Sequence, residues 1–296
     1  MTSALRTVLA AGILAVGGGW YLTAPDRFDP SAVQGVPPDL ALGETLFYAG
    51  GCVSCHSAPG AEGDAKLVLS GGQRFPSDFG TFIAPNISAD PEEGIGEWTS
   101  TEFANALLKG TSPDGTHYYP VFPYTSYARM SVADAVSLHA YLQTLPTDAT
   151  ASAPHEVGFP FSIRRFLGGW KWFFATEGWI VSSELSDVQQ RGRYLVEGPG
   201  HCGECHTARN ALGGLDRGEW LAGAPSPDGK GRIPDITPGG LDWSEADIAE
   251  YLKSGFTPEY DSAGGEMAAV IENTSQLTDD DRAAIAAYLK AVPASR

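Results

Sequence analysis

Basic side chains are scarce in this sequence: 19 Lys and Arg stand against 36 Asp and Glu, a net charge of −17 over 296 residues. Nucleic acid is thereby excluded as a partner, because phosphate binding needs basic patches. Cysteine is scarcer still. Four in a chain of this length are far too few for a disulfide scaffold, so they are either incidental or chemical. Methionine numbers three, one of them the initiator. No segment alternates with a convincing strand period, which argues against a β architecture. What the chain has in quantity is 36 Gly and 21 Pro, a loop fraction too large for a plain helical bundle. Its 43% hydrophobic content is enough to bury real cores. The length suggests two domains.

One apolar run stands out, from Val8 to Leu22, preceded by Arg6 and ending in Trp20 and Tyr21. A positive residue before such a run is an export signal. As an uncleaved anchor its 17 residues to Ala24 are at the lower limit for a span, with the aromatic rings at the interface. As a cleaved signal it ends at Leu22-Thr23-Ala24. Residues 1–29 are read as this anchor or signal segment, which puts the remainder on the periplasmic side of the inner membrane, tethered or, after cleavage, soluble.

The rest of the chain repeats itself. Gly43-Glu-Thr-Leu-Phe-Tyr-Ala-Gly-Gly-Cys52 answers Gly192-Arg-Tyr-Leu-Val-Glu-Gly-Pro-Gly-His-Cys202, and Pro85-Asn-Ile-Ser88 answers Pro234-Asp-Ile-Thr237. Trp98 and Trp243 open matching segments closed by Gly110 and Gly255; both copies end alike, in Ala140-Tyr-Leu and Ala287-Tyr-Leu. Two modules follow, 30–146 and 187–296, separated by 147–186. Each reads as short helices between long loops. One helix precedes each cysteine pair. A second is capped by Thr99 or Ser244, and a last by Ser131 with Asp134 or by Thr278 with Asp281. Loops this long need something else to fill the core.

All four cysteines fall in two copies of one pattern, Cys52-Val-Ser-Cys55-His56 and Cys202-Gly-Glu-Cys205-His206. C-x-x-C-H is the attachment signature of c-type haem: two thiols add to the vinyl groups, and the adjacent His binds iron from one face. A zinc site would need its second Cys pair within about 20 residues, and a thioredoxin-like pair a β-α-β context. Structural disulfides would leave the two histidines unexplained. Two covalently attached haems are expected. For the sixth iron position the candidates are Met130 and Met267, one per module, since a thioether is a soft ligand that raises the reduction potential. Met267 is expected in a loop that wraps the ring. With Trp98 aligned on Trp243, Met267 falls opposite Phe122 and not Met130, so His117 stands as the substitute in the first module.

These residues resemble the proteobacterial dihaem cytochromes c with two class I-type domains, related to the cytochrome subunits of alcohol and gluconate dehydrogenases. The matching motifs are both C-x-x-C-H sequences, Pro85-Asn-Ile-Ser, Ile95-Gly-Glu-Trp98, Tyr119-Pro-Val-Phe-Pro-Tyr-Thr-Ser-Tyr127, and Gly265-Glu-Met267 through Thr278. The resemblance implies an all-α fold of two tandem domains, short helices and long loops wrapped around haem, behind an N-terminal hydrophobic helix. It implies an electron carrier. Relatives of the dehydrogenase type often have Met where Phe122 stands, and their third haem domain has no counterpart here, so membership of such a complex does not follow.

Residues 159–174 are rich in aromatics and hold Arg164, Arg165 and Lys171. The reading is an interdomain strap whose rings pack on the modules, with an arginine near the propionates; the alternative is a surface patch for a partner or membrane. Each module carries a net −8, which should steer redox partners with basic docking patches. With both irons doubly ligated no site is left for a small-molecule substrate, and the chain would carry single electrons from a dehydrogenase to an oxidase-type acceptor. The alternative is a dihaem enzyme, a peroxidase or small-molecule oxidoreductase, with one open iron.

Overall fold

The computed structural model describes residues 3–176, 178–226, 229 and 231–295. It is mostly helical and built from two copies of one arrangement. In the first, α2 (Leu40–Ala49) leads into the single turn α3 (Cys52–His56), followed by α4 (Ser100–Lys109), the short α5 (Tyr124–Tyr127) and α6 (Val132–Leu142). In the second, α8 (Asp187–Glu197) leads into α9 (Gly203–His206), followed by α10 (Glu245–Ser254), α11 (Glu266–Thr274) and α12 (Asp279–Ala291). Before and between them lie α1 (Ser3–Leu22) and α7 (Phe166–Phe174).

The capping residues read from the sequence set the helix starts. Thr99 with Glu102, Ser131 with Asp134 and Ser244 with Asp247 form reciprocal capping boxes, and Thr278 accepts from the Asp281 amide. Gly110 and Gly255 close α4 and α10 in the left-handed region, at φ 57° and 77°, where a side chain would add strain.

Each module is held by its first and last helices crossing at a glycine. A Cβ on Gly43 would collide with the Ser137 carbonyl and Tyr141 Cβ, and one on Gly192 with the Ala284 carbonyl and Tyr288 Cβ. Close approach at those glycines lets Leu46 and Phe47, or Leu195 and Val196, bury completely, each contributing about 1.5–3 kcal/mol.

Two small hairpins depart from the helical expectation. β1 (Arg74–Ser77) pairs antiparallel with β2 (Gly80–Ile83), and β3 (Ala224–Pro225) with β4 (Arg232–Ile233). At four and two residues they are too short to show an alternating period.

α1 forms over 20 residues, but among the described residues no helix is long and apolar enough to cross a membrane. Arg6 bounds the run on one side and Gly17–Gly19 dilute it on the other. The segment 159–174 packs on the modules by one side only. Trp170 Nε1 donates to the Leu212 carbonyl at 2.8 Å, and Lys171 Nζ to the Lys109 and Gly110 carbonyls at 2.6 and 2.8 Å. Phe159, Phe161, Phe166, Trp172 and Phe173 are exposed. Arg164 stacks over Tyr119 and Arg165 over Trp20.

Candidate functional site

The two cysteine–histidine turns are placed identically. Each follows the first helix of its module, α3 after two residues and α9 after five; the first is entered through Gly51 in the left-handed region, at φ 57°. Within one turn the two sulfurs and the imidazole share one side, because residues three and four apart on a helix are neighbours. No disulfide joins the four cysteines. Cys52 and Cys202 are half-buried, and burial pushes both up to about 12. Cys55 opens to solvent yet is ringed by protein, which with the charges of Glu266 and Cys205 pushes it up to about 11. Burial thus raises these thiols, whereas a redox-active C-x-x-C pair has a lowered one.

His56 Nδ1 lies 2.9 Å from the Pro85 carbonyl, and His206 Nδ1 lies 2.8 Å from the Pro234 carbonyl. A carbonyl only accepts, so Nδ1 carries the proton and donates, leaving each Nε2 lone pair free for a metal. Burial also lowers both imidazoles below their ordinary value, favouring the neutral, ligating form. Among the described residues no three His, Cys, Asp or Glu gather as a metal cage. The donor set of each turn, two unpaired thiols beside one oriented imidazole, fits a c-type haem.

The loop supplying each carbonyl is tied back to its turn. Gly71 N donates to the His56 carbonyl and Ile87 N to Leu69; Gly223 N donates to the His206 carbonyl and Ile236 N to Leu221. Leu69 and Leu221 are fully buried and left-handed, at φ 55° and 62°, a strained backbone that persists only where surroundings dictate it. Asn86 takes the Ser88 amide and donates to the Asp148 and Thr150 carbonyls, while Asp235 takes the Thr237 amide and the Ser295 hydroxyl. The repeated Leu-x-Gly at 69–71 and 221–223 is the sequence signal that would have found this clamp.

The candidate sixth ligands differ. Met130 is buried in the cluster that contains Leu46, Phe47 and Val53 and touches Cys52; Met267 is half-buried against the second core, as is Cys202. Met267 lies in the first turn of α11 and not in a loop, a correction to the sequence expectation. Met130 directly precedes the N-cap Ser131, as Leu277 precedes Thr278. His117 is turned elsewhere: it is buried, its Nε2 donates to the Thr23 carbonyl at 3.0 Å, and burial with nearby Lys171 lowers it to about 4. His139 stacks on Phe103, and His155 accepts from Ile83 N.

The two turns face one another across the domain boundary, which no sequence motif announced. Ser54, inside the first C-x-x-C, accepts from Asn273 Nδ2 at 3.0 Å. Glu204, inside the second, accepts from Ser126 Oγ at 3.1 Å and Thr125 Oγ1 at 3.3 Å, and pairs with Arg209. Ser54 and Glu204 occupy equivalent positions, as do Ser126 and Asn273, each five residues before its N-cap. The modules are thus joined by one contact used twice. Tyr127 meets the His201 ring at 5.7 Å, and His201 Nε2 reaches the Gly50 carbonyl at 3.3 Å. Lys66 pairs with Glu272 and Tyr194 OH donates to Asp134.

A family model described as "Cytochrome c" matches residues 40–146 and 189–293. A "Diheme cytochrome c-type" protein of Cereibacter sphaeroides is 57% identical over 294 residues, covering 99% of this chain and 98% of that one. The "Fructose dehydrogenase cytochrome subunit" of Gluconobacter japonicus is 38% identical, over 90% of this chain and 55% of its own length. The "Alcohol dehydrogenase (quinone), cytochrome c subunit" of Gluconobacter oxydans is 37% identical, over 99% and 61%. The chain therefore spans somewhat over half the length of these dehydrogenase subunits.

Proposed function

From the premise that the chain belongs to the cytochrome c family and carries two covalently attached c-type haems, we propose that it moves single electrons between periplasmic or membrane redox partners, from a dehydrogenase to an oxidase-type acceptor. The observation that carries this reading is the pairing of the two attachment turns across one boundary. Each turn touches the opposite module, Ser54 through Asn273 and Glu204 through Ser126 and Thr125, so groups attached at the two turns would share one boundary. The haems supply reversible one-electron chemistry when bound. The chain's own residues attach them (Cys52, Cys55, Cys202, Cys205), present one imidazole each (His56, His206), and fix that imidazole through Pro85 and Pro234. The working division is an N-terminal segment 1–29, haem domains 30–146 and 187–296, and a strap 147–186, on the periplasmic side of the inner membrane.

Met267 is assigned as the sixth ligand of the second iron and Met130 of the first. Their membership in the same clusters as Cys202 and Cys52 supports this, as does the commitment of His117 to Thr23. Met267→Leu and Met130→Leu are each expected to remove about half of the far-red methionine–iron absorption band and lower one of two midpoint potentials. A full band in Met130→Leu would make Met130 a core residue like Leu277, and carbon monoxide binding by the unaltered protein would move the function toward an enzyme.

Partner docking should follow the charge. Each module has a net −8, so the rate of electron transfer with the native partner is expected to fall steeply as ionic strength rises. Stopped-flow mixing at graded salt tests this; a flat profile would remove acidic docking from the account.

A further inference from the structure

We propose that the outward face of α7, with the turn that precedes it, is a docking surface for an anionic phospholipid bilayer. It is a second membrane contact, separate from α1. The starting observation is exposure. Phe159 is 84% exposed, Phe166 64%, Trp172 59%, Phe173 75% and Phe161 47%. Isolated apolar residues on a surface are ordinary, but a contiguous set of large rings marks an interaction site.

The inner side of α7 explains why those rings stay outside. Gly168 sits where any Cβ would collide with the Thr23 carbonyl and His117. Lys171 is drawn inward onto the carbonyls closing α4, with its amine over the Tyr124 ring. On the other module, Trp170 holds the Leu212 carbonyl, Arg217 holds the Phe174 carbonyl, and the Phe174 ring fills the space above Gly214. Both domains grip one side of the helix. A helix so held cannot roll its aromatic side into either core.

Charge selects the occupant. Residues 159–176 contain Arg164, Arg165 and Lys171 and no acidic residue, in a chain of net −17. Arg164 and Arg165 lie over the Tyr119 and Trp20 rings and have no carboxylate partner among the described residues. An aromatic helix of nine residues, preceded by Arg164 and Arg165, suits the headgroup region, where rings sit at the boundary and basic groups meet anionic lipid. The patch is also continuous with α1. Arg165 donates to the Trp20 carbonyl and covers the Trp20 ring at 4.5 Å, while Ile13, Leu14, Trp20 and Tyr21 are exposed along α1. Both apolar elements therefore meet the same bilayer surface, with the two acidic modules held above it.

The inference extends the reading of the chain as a membrane-side carrier, and the test separates the two. The full-length holoprotein is subjected to hydroxyl-radical footprinting with vesicles of zwitterionic phospholipid alone and with anionic phospholipid added. Oxidation of Phe166, Trp172 and Phe173 is expected to slow about tenfold with anionic vesicles, independently of Trp20 and Tyr21 in α1. Arg164→Gln is expected to weaken vesicle partitioning about fivefold. Phe166→Ser/Trp172→Ser/Phe173→Ser should lower partitioning further with an unchanged visible spectrum, which shows that both haem domains still fold. Unslowed oxidation of the α7 rings overturns the proposal even if α1 is protected. So does protection of those rings only by an added soluble redox partner, which would make the patch a protein-docking site.

Discussion

Replacing Glu197 by Ala is expected to cost about 3–5 kcal/mol of stability, the range for breaking a buried ion pair by removing one partner. Glu197 ends α8 and is wholly buried. It accepts from the amides of Ile180 and Val181 at 2.6 and 3.0 Å and from Tyr288 OH at 2.5 Å. Arg129 of the first module reaches it from across the boundary at 3.4 Å. Arg129 is itself buried and donates to the Gly178, Thr125 and Glu197 carbonyls. The cluster thus ties the first module, the strap and both framing helices of the second module. Truncation strands two amides, a hydroxyl and a guanidinium away from water. Glu197→Gln keeps the volume, but its amide nitrogen would face N–H donors at one of the two positions, so it should cost roughly half as much. Urea unfolding of the holoprotein checks both, and a double-mutant cycle with Arg129→Ala should show coupling of about 1–3 kcal/mol. A Glu197→Ala midpoint within error of the parent would remove the cluster from the account.

A methyl group at Gly192 or Gly43 should be nearly as damaging, and for a different reason. The added carbon meets a backbone carbonyl of the partner helix in both modules, so no side-chain rotation relieves it. The helices must separate. Overpacking in cores costs about 1–3 kcal/mol, and contact with backbone belongs at the upper end. Separation also carries a functional consequence, because α2 and α8 lead through short connections into the cysteine turns. Gly43→Ala should therefore impair attachment at the first turn and Gly192→Ala at the second. Intact mass spectrometry reads this as a shift from two-haem to one-haem protein, alongside a lower thermal midpoint. Full two-haem occupancy with an unchanged midpoint in either variant would show that the crossing tolerates a side chain.

Much of this protein was legible from local pattern. Capping boxes need residues three apart, the glycine ends of α4 and α10 need one position, and haem attachment needs five consecutive residues. Each is fixed by short-range geometry, so a sequence carries it openly. The hairpins were not legible because strands of two and four residues are too short to establish a period. Nor was the helical setting of Met267, since Gly264-Gly265 before it reads as loop although the second glycine, at φ 56°, provides the entry to α11.

By itself, then, the sequence determined a duplicated cytochrome c module, two C-x-x-C-H turns with their six Cys and His residues, its helix starts and its acidic character. Only the tertiary structure decided that the two turns face each other through Ser54–Asn273 and Glu204–Ser126, that Glu197 and Arg129 lock the boundary, and that the aromatic strap turns most of its rings outward. The reason is distance along the chain. These contacts join residues about 40 to 220 positions apart, and they exist because of how two similar modules dock, which no short-range pattern encodes.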